Sequence, residues 1–472
     1  MVFSSHIFIF WFLPLCLISY MLVPKKAKNS LVLFFSLVFY AWGAPRFVLI
    51  LIGSSLVDFY LAKGMVNNYR SKLLISIGVT LNVALLATFK YLNFFIENVN
   101  FMLMQFGIEE VSWTSVALPI GISFFTFQKI SYLVDVYRGT CRPRQSFINY
   151  LLFVSLFPQL IAGPIVRYKD VADQITDRFA SENARERFNG IFRFVIGLAK
   201  KVLIANVLAE QVDNMFAESN ISDLGTISVW IGMLAYSFQI YFDFSGYSDM
   251  AIGLGKMIGF TFPENFNYPY ISKNITEFWR RWHMTLGTWM KDYLYIPLGG
   301  NRSSVKRTYI NLWTVFFISG IWHGASWNFM LWGIFHGSIL ILDRLFLIRL
   351  TSKLHSVVQV LITYFLTLIG WVLFRFENAA DFKLIYSRMF SWQLDTTPLE
   401  PSNRFYAILI LAALFAFMGM RKKVETATNG LYQPSLGPGT TIFKSLTLIL
   451  IFILCVSELT VSGYNPFIYF KF

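Results

Sequence analysis

Long stretches without a single charged side chain recur along this chain, at 29–45, 73–89, 111–128, 146–166, 224–242, 308–342 and 354–374. Most are near the length a helix needs to cross a hydrocarbon layer, and the run from 308 to 342 is long enough for two crossings. Lipid offers no partner to a backbone N–H or C=O, so such runs must fold as helices packed on one another. The expectation is an all-α, polytopic integral membrane protein with about ten to twelve crossings. Only 14% of the 472 residues are charged while 56% are hydrophobic, roughly half the charged share of a soluble domain. Water is therefore not the main solvent of this chain.

The apolar run from Val2 to Val23 has no basic stretch before it and no small-residue cleavage site after it, so it reads as a retained first span. Lys25, Lys26 and Lys28 follow it and place that loop in the cytoplasm, with the N-terminus outside. A last apolar run, from about Ser445 to Ser462, follows the cluster Arg421, Lys422 and Lys423, and the tail from Gly463 to Phe472 then emerges outside as well. A multi-pass protein of the inner, cytoplasmic membrane is expected. The net charge of +14 arises from clusters at the ends of apolar runs, a topology signal rather than a nucleic-acid footprint. No repeat, linker or polar stretch marks a second domain, so residues 1–472 read as one membrane domain. The stretch 188–212, where Arg193, Lys200 and Lys201 interrupt an apolar background, reads as a helix lying on the cytoplasmic interface.

Chemistry-bearing residues are few. Cys16, Cys141 and Cys455 are far apart and form neither a metal pair nor a disulfide framework. No metal-ligand motif, P-loop or nucleophile elbow is present, so no metal and no tightly held cofactor is expected. Of five histidines, His323 and His336 lie inside the run 308–342, where a titratable group is expensive and tends to mark a function. Thirteen residues apart, they face different sides of a helix, and His336 reads as structural. His283 stands in Trp279-Arg-Arg-Trp-His283, where Trp279, Trp282 and Trp289 with Arg280 and Arg281 suit the headgroup level. Arg280 and Arg281 are also candidates for the phosphates of a nucleotide-bearing donor. Asp135, Asp243 and Asp249 read as structural carboxylates paired with cations or capping helices, and Gly255 and Gly259 as helix-packing positions.

The block from Glu277 to Arg302, with FWRRWH and DYLYIPLGGNR, followed by Gly320-Ile-Trp-His323-Gly, resembles the membrane-bound O-acyltransferase family. Within it, Leu118-Pro-Ile-Gly-Ile-Ser-Phe, Leu160-Ile-Ala-Gly-Pro and Tyr241-Phe-Asp-Phe-Ser-Gly-Tyr-Ser-Asp look like the members that serve alginate O-acetylation. The resemblance implies a ring of helices around a thinned centre, entered by a cytoplasmic and an outer funnel. It also implies that His323 is the catalytic histidine and His283 a second active-site residue. Acyl transfer from a thioester such as acetyl-CoA to a hydroxyl needs a base of near-neutral pKa. His323 is assigned that role, and His283 is assigned to the developing oxyanion as a hydrogen-bond donor. The C-terminal Phe467-Ile-Tyr469-Phe-Lys-Phe472 is similar to the FxYxxF tail of the small membrane partner in teichoic-acid D-alanylation. That resemblance implies an acyl relay through Tyr469 to a soluble outer acetyltransferase of a polysaccharide-modifying machinery, with lipid as the other neighbour and no nucleic acid. An aromatic anchor at the outer interface is the plainer reading of the tail. D-alanyl or other acyl transfer to a different wall polymer stays open, as does a proton-coupled transporter lined by His323, Asp243 and Asp249.

Overall fold

The computed structural model describes residues 1–66, 71–144, 146–217, 219–302, 304–396, 401–432, 437–466 and 468. Every regular element among them is a helix. Six helices are long and apolar enough to cross a membrane: Pro45–Met65, Ser71–Gln105, Trp327–Thr351, Ser356–Arg375, Asn403–Met420 and Pro438–Val461, with Phe8–Leu22 a shorter apolar helix. The protein is thus all-α and polytopic. Its helices gather into two compact units, residues 1–183 with 255–263 and residues 184–254 with 264–472.

The first unit contains α1 (Leu13–Leu22), α2 (Lys28–Gly43), α3 (Val48–Met65), α4 (Ser71–Gln105), α5 (Ile122–Tyr137) and α6 (Phe147–Ser155). Rings of Phe8, Phe12, Phe39 and Phe157 pack at 5.4 to 6.4 Å between centroids. A buried ion pair, Lys129 to Asp58 at 3.1 Å, ties α5 to α3, and Asn82 of α4 donates to the same carboxylate at 2.9 Å. The run 111–128 is not one helix. Its first part is irregular, and α5 starts only after Gly121, whose φ of +77° and whose missing Cβ, 2.7 Å from the Leu160 carbonyl oxygen, both require glycine. The run 146–166 is broken as its Pro and Gly content suggests: α6 ends at Ser155 and a single turn, Phe157–Leu160, follows.

The second unit begins with α7 (Ala184–Ala199), a π-helical stretch Lys200–Ala205 and α8 (Asn206–Met215). It continues through α9 (Thr226–Met257, its last three residues counted with the first unit), α10 (Ile275–Arg281), α11 (Met284–Met290), α12 (Val305–His323), α13 (Trp327–Leu342) and α14 (Ser356–Arg375). It ends with α15 (Ala379–Phe390), α16 (Asn403–Phe417), α17 (Lys422–Leu431) and α18 (Pro438–Val461). Helices α7 and α9 cross with their backbones nearly touching. A Cβ on Gly197 would lie 2.5 Å from the Gly246 carbonyl oxygen, and one on Gly253 2.6 Å from that of Gly190. Packing glycines therefore stand at 190, 197, 246 and 253. Gly255 instead makes room for the Phe262 ring, and Gly259 serves a turn with φ +83°.

That crossing corrects the reading of 188–212 as a surface helix. Arg193 and Lys201 are 4% and 2% exposed. Arg193 binds Asp249 at 2.8 Å and Glu264 at 2.6 Å, Lys200 binds Asp249 at 2.6 Å, and Lys201 binds Asp243 at 2.6 Å. Two acidic residues of α9 neutralise the cations of α7 and the π stretch, which is why these charges face inward. Trp282 and Trp289 are likewise buried and do not face outward. Aromatic faces packed on one another satisfy them there.

Candidate functional site

His323 is the last residue of α12, and the glycines around it explain its position. Gly320, one turn earlier, lies against α13: a Cβ there would be 2.3 Å from the Phe329 carbonyl oxygen and 3.0 Å from the Gly333 Cα. Gly333 returns the contact, its own missing Cβ falling 2.6 Å from the Phe316 carbonyl oxygen. After His323 the chain turns extended at Gly324, where a Cβ would strike the Phe329 ring at 2.3 Å. Close approach and a tight exit thus hold the histidine between them. Its ring, 3% exposed, meets Trp322, Trp332 and Phe374 edge-to-face at 5.0, 5.1 and 5.3 Å.

His283 sits between the short helices α10 and α11 in the left-handed conformation, φ 45° and ψ 52°. A loop residue, Asn265, holds it there. The Asn265 carbonyl accepts from the Met284 N–H at 2.9 Å, and its side-chain oxygen stands 3.0 Å from His283 Nδ1. Phe244 of α9 packs perpendicular to the imidazole at 4.7 Å. His283 is 2% exposed and lies outside the six candidate spans. Burial pushes its pKa down to about 3, so the ring is neutral at physiological pH.

Trp322 brings the two histidines together: its ring is 6.4 Å from that of His283 and 5.0 Å from that of His323. Forty positions of sequence separate the histidines, yet their rings lie no farther apart than the sum of those two distances. Trp332 extends the cluster, touching His323 at 5.1 Å and His336 at 5.0 Å. His336 also packs on Trp279 at 4.9 Å, and its Nδ1 has no hydrogen-bond partner among the described residues. Gly370 is required beside it, since a Cβ would fall 2.6 Å from Nε2. The histidines of α12 and α13 therefore share an indole, although helical spacing alone separates them.

The candidate donor contacts divide. Arg280 is exposed, whereas Arg281 is held by Glu277 at 2.9 Å, by the Asn267 carbonyl at 3.1 Å and by Glu425 at 3.4 Å. Two carboxylates thus already occupy the guanidinium of Arg281. Asp243 and Asp249 are cation-paired, as expected of structural carboxylates. Tyr469, Phe467 and Phe472 lie outside the described residues, but their neighbours do not. Lys201 donates to the Pro466 carbonyl, the Ile468 N–H donates to Asp243 at 3.0 Å, and Asn206 donates to the Asn465 side-chain oxygen at 3.1 Å. Asn265 escaped the sequence reading because an amide in an irregular loop carries no periodic or motif signal. Trp322 was in plain view beside His323.

Residues 141–376 match the model of MBOAT, the membrane-bound O-acyltransferase family. Over its whole length and theirs, the chain is 39% identical to "Probable alginate O-acetylase AlgI" of Pseudomonas aeruginosa. It is also 39% identical to a peptidoglycan O-acetyltransferase of Helicobacter pylori, over 80% of this chain and 77% of that one. A teichoic acid D-alanyltransferase of Bacillus subtilis is 31% identical over 47% of this chain and 58% of its own.

Proposed function

This chain belongs to the membrane-bound O-acyltransferase family and is an acyltransferase, and from that premise we propose that it acetylates an extracellular polysaccharide of the alginate type. The acetyl group comes from a cytoplasmic thioester, acetyl-CoA, and crosses the inner membrane to a soluble outer acetyltransferase. Full-length similarity to the alginate O-acetylase supports this acceptor over D-alanylation of a wall polymer, whose enzymes match only about half of the chain. Both termini stand outside in this reading.

The observation that carries the proposal is the packing of His283 and His323 against one indole, Trp322. As a hydroxyl attacks the thioester, its proton passes to an imidazole, a C–O bond forms and the C–S bond breaks. The departing sulfur then takes the proton. His323 receives the proton and His283 orients the reacting groups, while the rings around His323 keep out water that would hydrolyse the thioester. Tyr469 is the relay nucleophile; its phenol, with an ordinary pKa of about 10, needs that base. The hydrogen bonds from Lys201 to Pro466 and from Ile468 to Asp243 support a tail whose residues next to Tyr469 and Phe467 are anchored.

Purified wild-type, His323→Ala and Tyr469→Phe proteins incubated with labelled acetyl-CoA test both steps, with mass spectrometry of the C-terminal peptide as readout. Label on Tyr469 that is absent from both variants is expected, with transfer in His323→Ala down about 10²–10⁴-fold and folding intact. Wild-type transfer by His323→Ala would overturn the catalytic assignment. An unlabelled peptide in a protein whose cells still need His323 for acetylation would end the relay alone.

A further inference from the structure

We infer that Asn265 is a positioning residue that fixes His283 as the Nδ1–H tautomer, so that the ring presents a lone pair at Nε2, and not an N–H, to the reacting groups. The inference rests on the proposed place of His283 in the reacting site and deepens it by assigning which ring nitrogen donates and which accepts.

A backbone N–H can only donate. The backbone N–H of Thr285 points at Oδ1 of Asn265 at 3.3 Å, and the Thr285 hydroxyl donates to the same atom at 2.8 Å. On the other side of the amide, Nδ2 donates to the Ser248 hydroxyl at 3.0 Å. The amide orientation is thereby determined by its partners, and the atom 3.0 Å from His283 Nδ1 is an oxygen acceptor. Nδ1 must carry the hydrogen. In a neutral imidazole the other nitrogen then carries a lone pair and no hydrogen. Phe244, perpendicular to the ring at 4.7 Å, and the Met284 N–H bonded to the Asn265 carbonyl at 2.9 Å hold both partners in register. Rotating the ring by half a turn would exchange Nδ1 for a carbon and lose the bond. A ring so held has nothing at Nε2 to donate to an oxyanion, which reverses the role that sequence alone assigns to His283.

The test combines a spectrum with variants at Asn265, Ser248 and His283. In protein labelled with ¹⁵N-histidine, the two ring nitrogens of His283, assigned by His283→Gln, are expected to show a protonated Nδ1 and a bare Nε2. Asn265→Leu is expected to lose that pattern and about 10–100-fold of turnover. Asn265→Asp, which keeps an acceptor oxygen, should keep the tautomer and most of the activity, and it stands in if the leucine variant fails to fold. Ser248→Ala, which touches only the far side of the amide, should turn over normally. A protonated Nε2 in the wild type, or equal losses in Ser248→Ala and Asn265→Leu, would overturn the inference while leaving His283 essential. An active His283→Ala protein would instead overturn the proposed site itself.

Discussion

Adding one methyl group at Gly320 should disable the enzyme without unfolding it. The new Cβ would lie 2.3 Å from the Phe329 carbonyl oxygen and 3.0 Å from the Gly333 Cα, all of it backbone that cannot rotate away. Ordinary carbon contacts begin at about 3.5 Å, so α12 and α13 must part by roughly 1 Å. Overpacking of this kind costs about 1–3 kcal/mol. The larger effect is geometric: His323 stands one turn from Gly320, and a displacement of about 1 Å of a reacting group is worth about 10²-fold in rate. Gly337→Ala supplies the control in the same interface. Its Cβ would meet only the side chains of Phe316 and Trp313 at 3.3 Å and the Trp313 Cα at 3.5 Å, so turnover within a few-fold of wild type is expected. Thermal unfolding in detergent separates stability from rate, and acetyl transfer from labelled acetyl-CoA gives the rate. Wild-type turnover by Gly320→Ala, or equal losses in Gly320→Ala and Gly337→Ala, would refute the reasoning that this crossing sets the position of His323.

Two further outcomes follow from buried groups. Lys201→Met strands the Asp243 carboxylate and should destabilise the protein by about 3–5 kcal/mol, while Lys201→Met combined with Asp243→Asn should recover most of that loss; thermal unfolding and proteolysis of the C-terminal tail report both. Gly370→Ala, whose Cβ would lie 2.6 Å from His336 Nε2, should lower the melting temperature yet leave acetyl transfer within a few-fold. A complete loss of transfer there would mean that His336 takes part in the chemistry.

What the sequence made legible divides along a physical line. The apolar run at 354–374 became α14, long and apolar enough to cross a membrane, because burial of a backbone in lipid admits little else. His323 was legible because a polar ring inside an apolar run is an anomaly that needs a reason. Arg193 and Lys201 were misread for the converse reason: local polarity suggested a surface, while the carboxylates that bury them, Asp249 and Asp243, lie on another helix more than forty positions away. Burial of Trp282 and Trp289 was hidden for the same reason, since an indole suits an interface or an aromatic core and only its neighbours decide. Asn265 was illegible altogether. Its importance arises from three donors that converge on one oxygen, and no one-dimensional pattern encodes convergence.

The left-handed backbone at His283 has a consequence for how this protein tolerates change. Apart from glycine and, less readily, asparagine and aspartate, residues reach that conformation only at an energetic penalty of about 1–2 kcal/mol. Position 283 is thus one where stability favours a residue without a side chain and the proposed chemistry demands an imidazole. The hydrogen bonds around Asn265 hold the ring in place before any substrate arrives, against the relaxation the backbone would otherwise take. Selection for a sturdier protein and selection for a working one pull this site in opposite directions, and variants gathered for thermal resistance alone would be expected to drift toward glycine here.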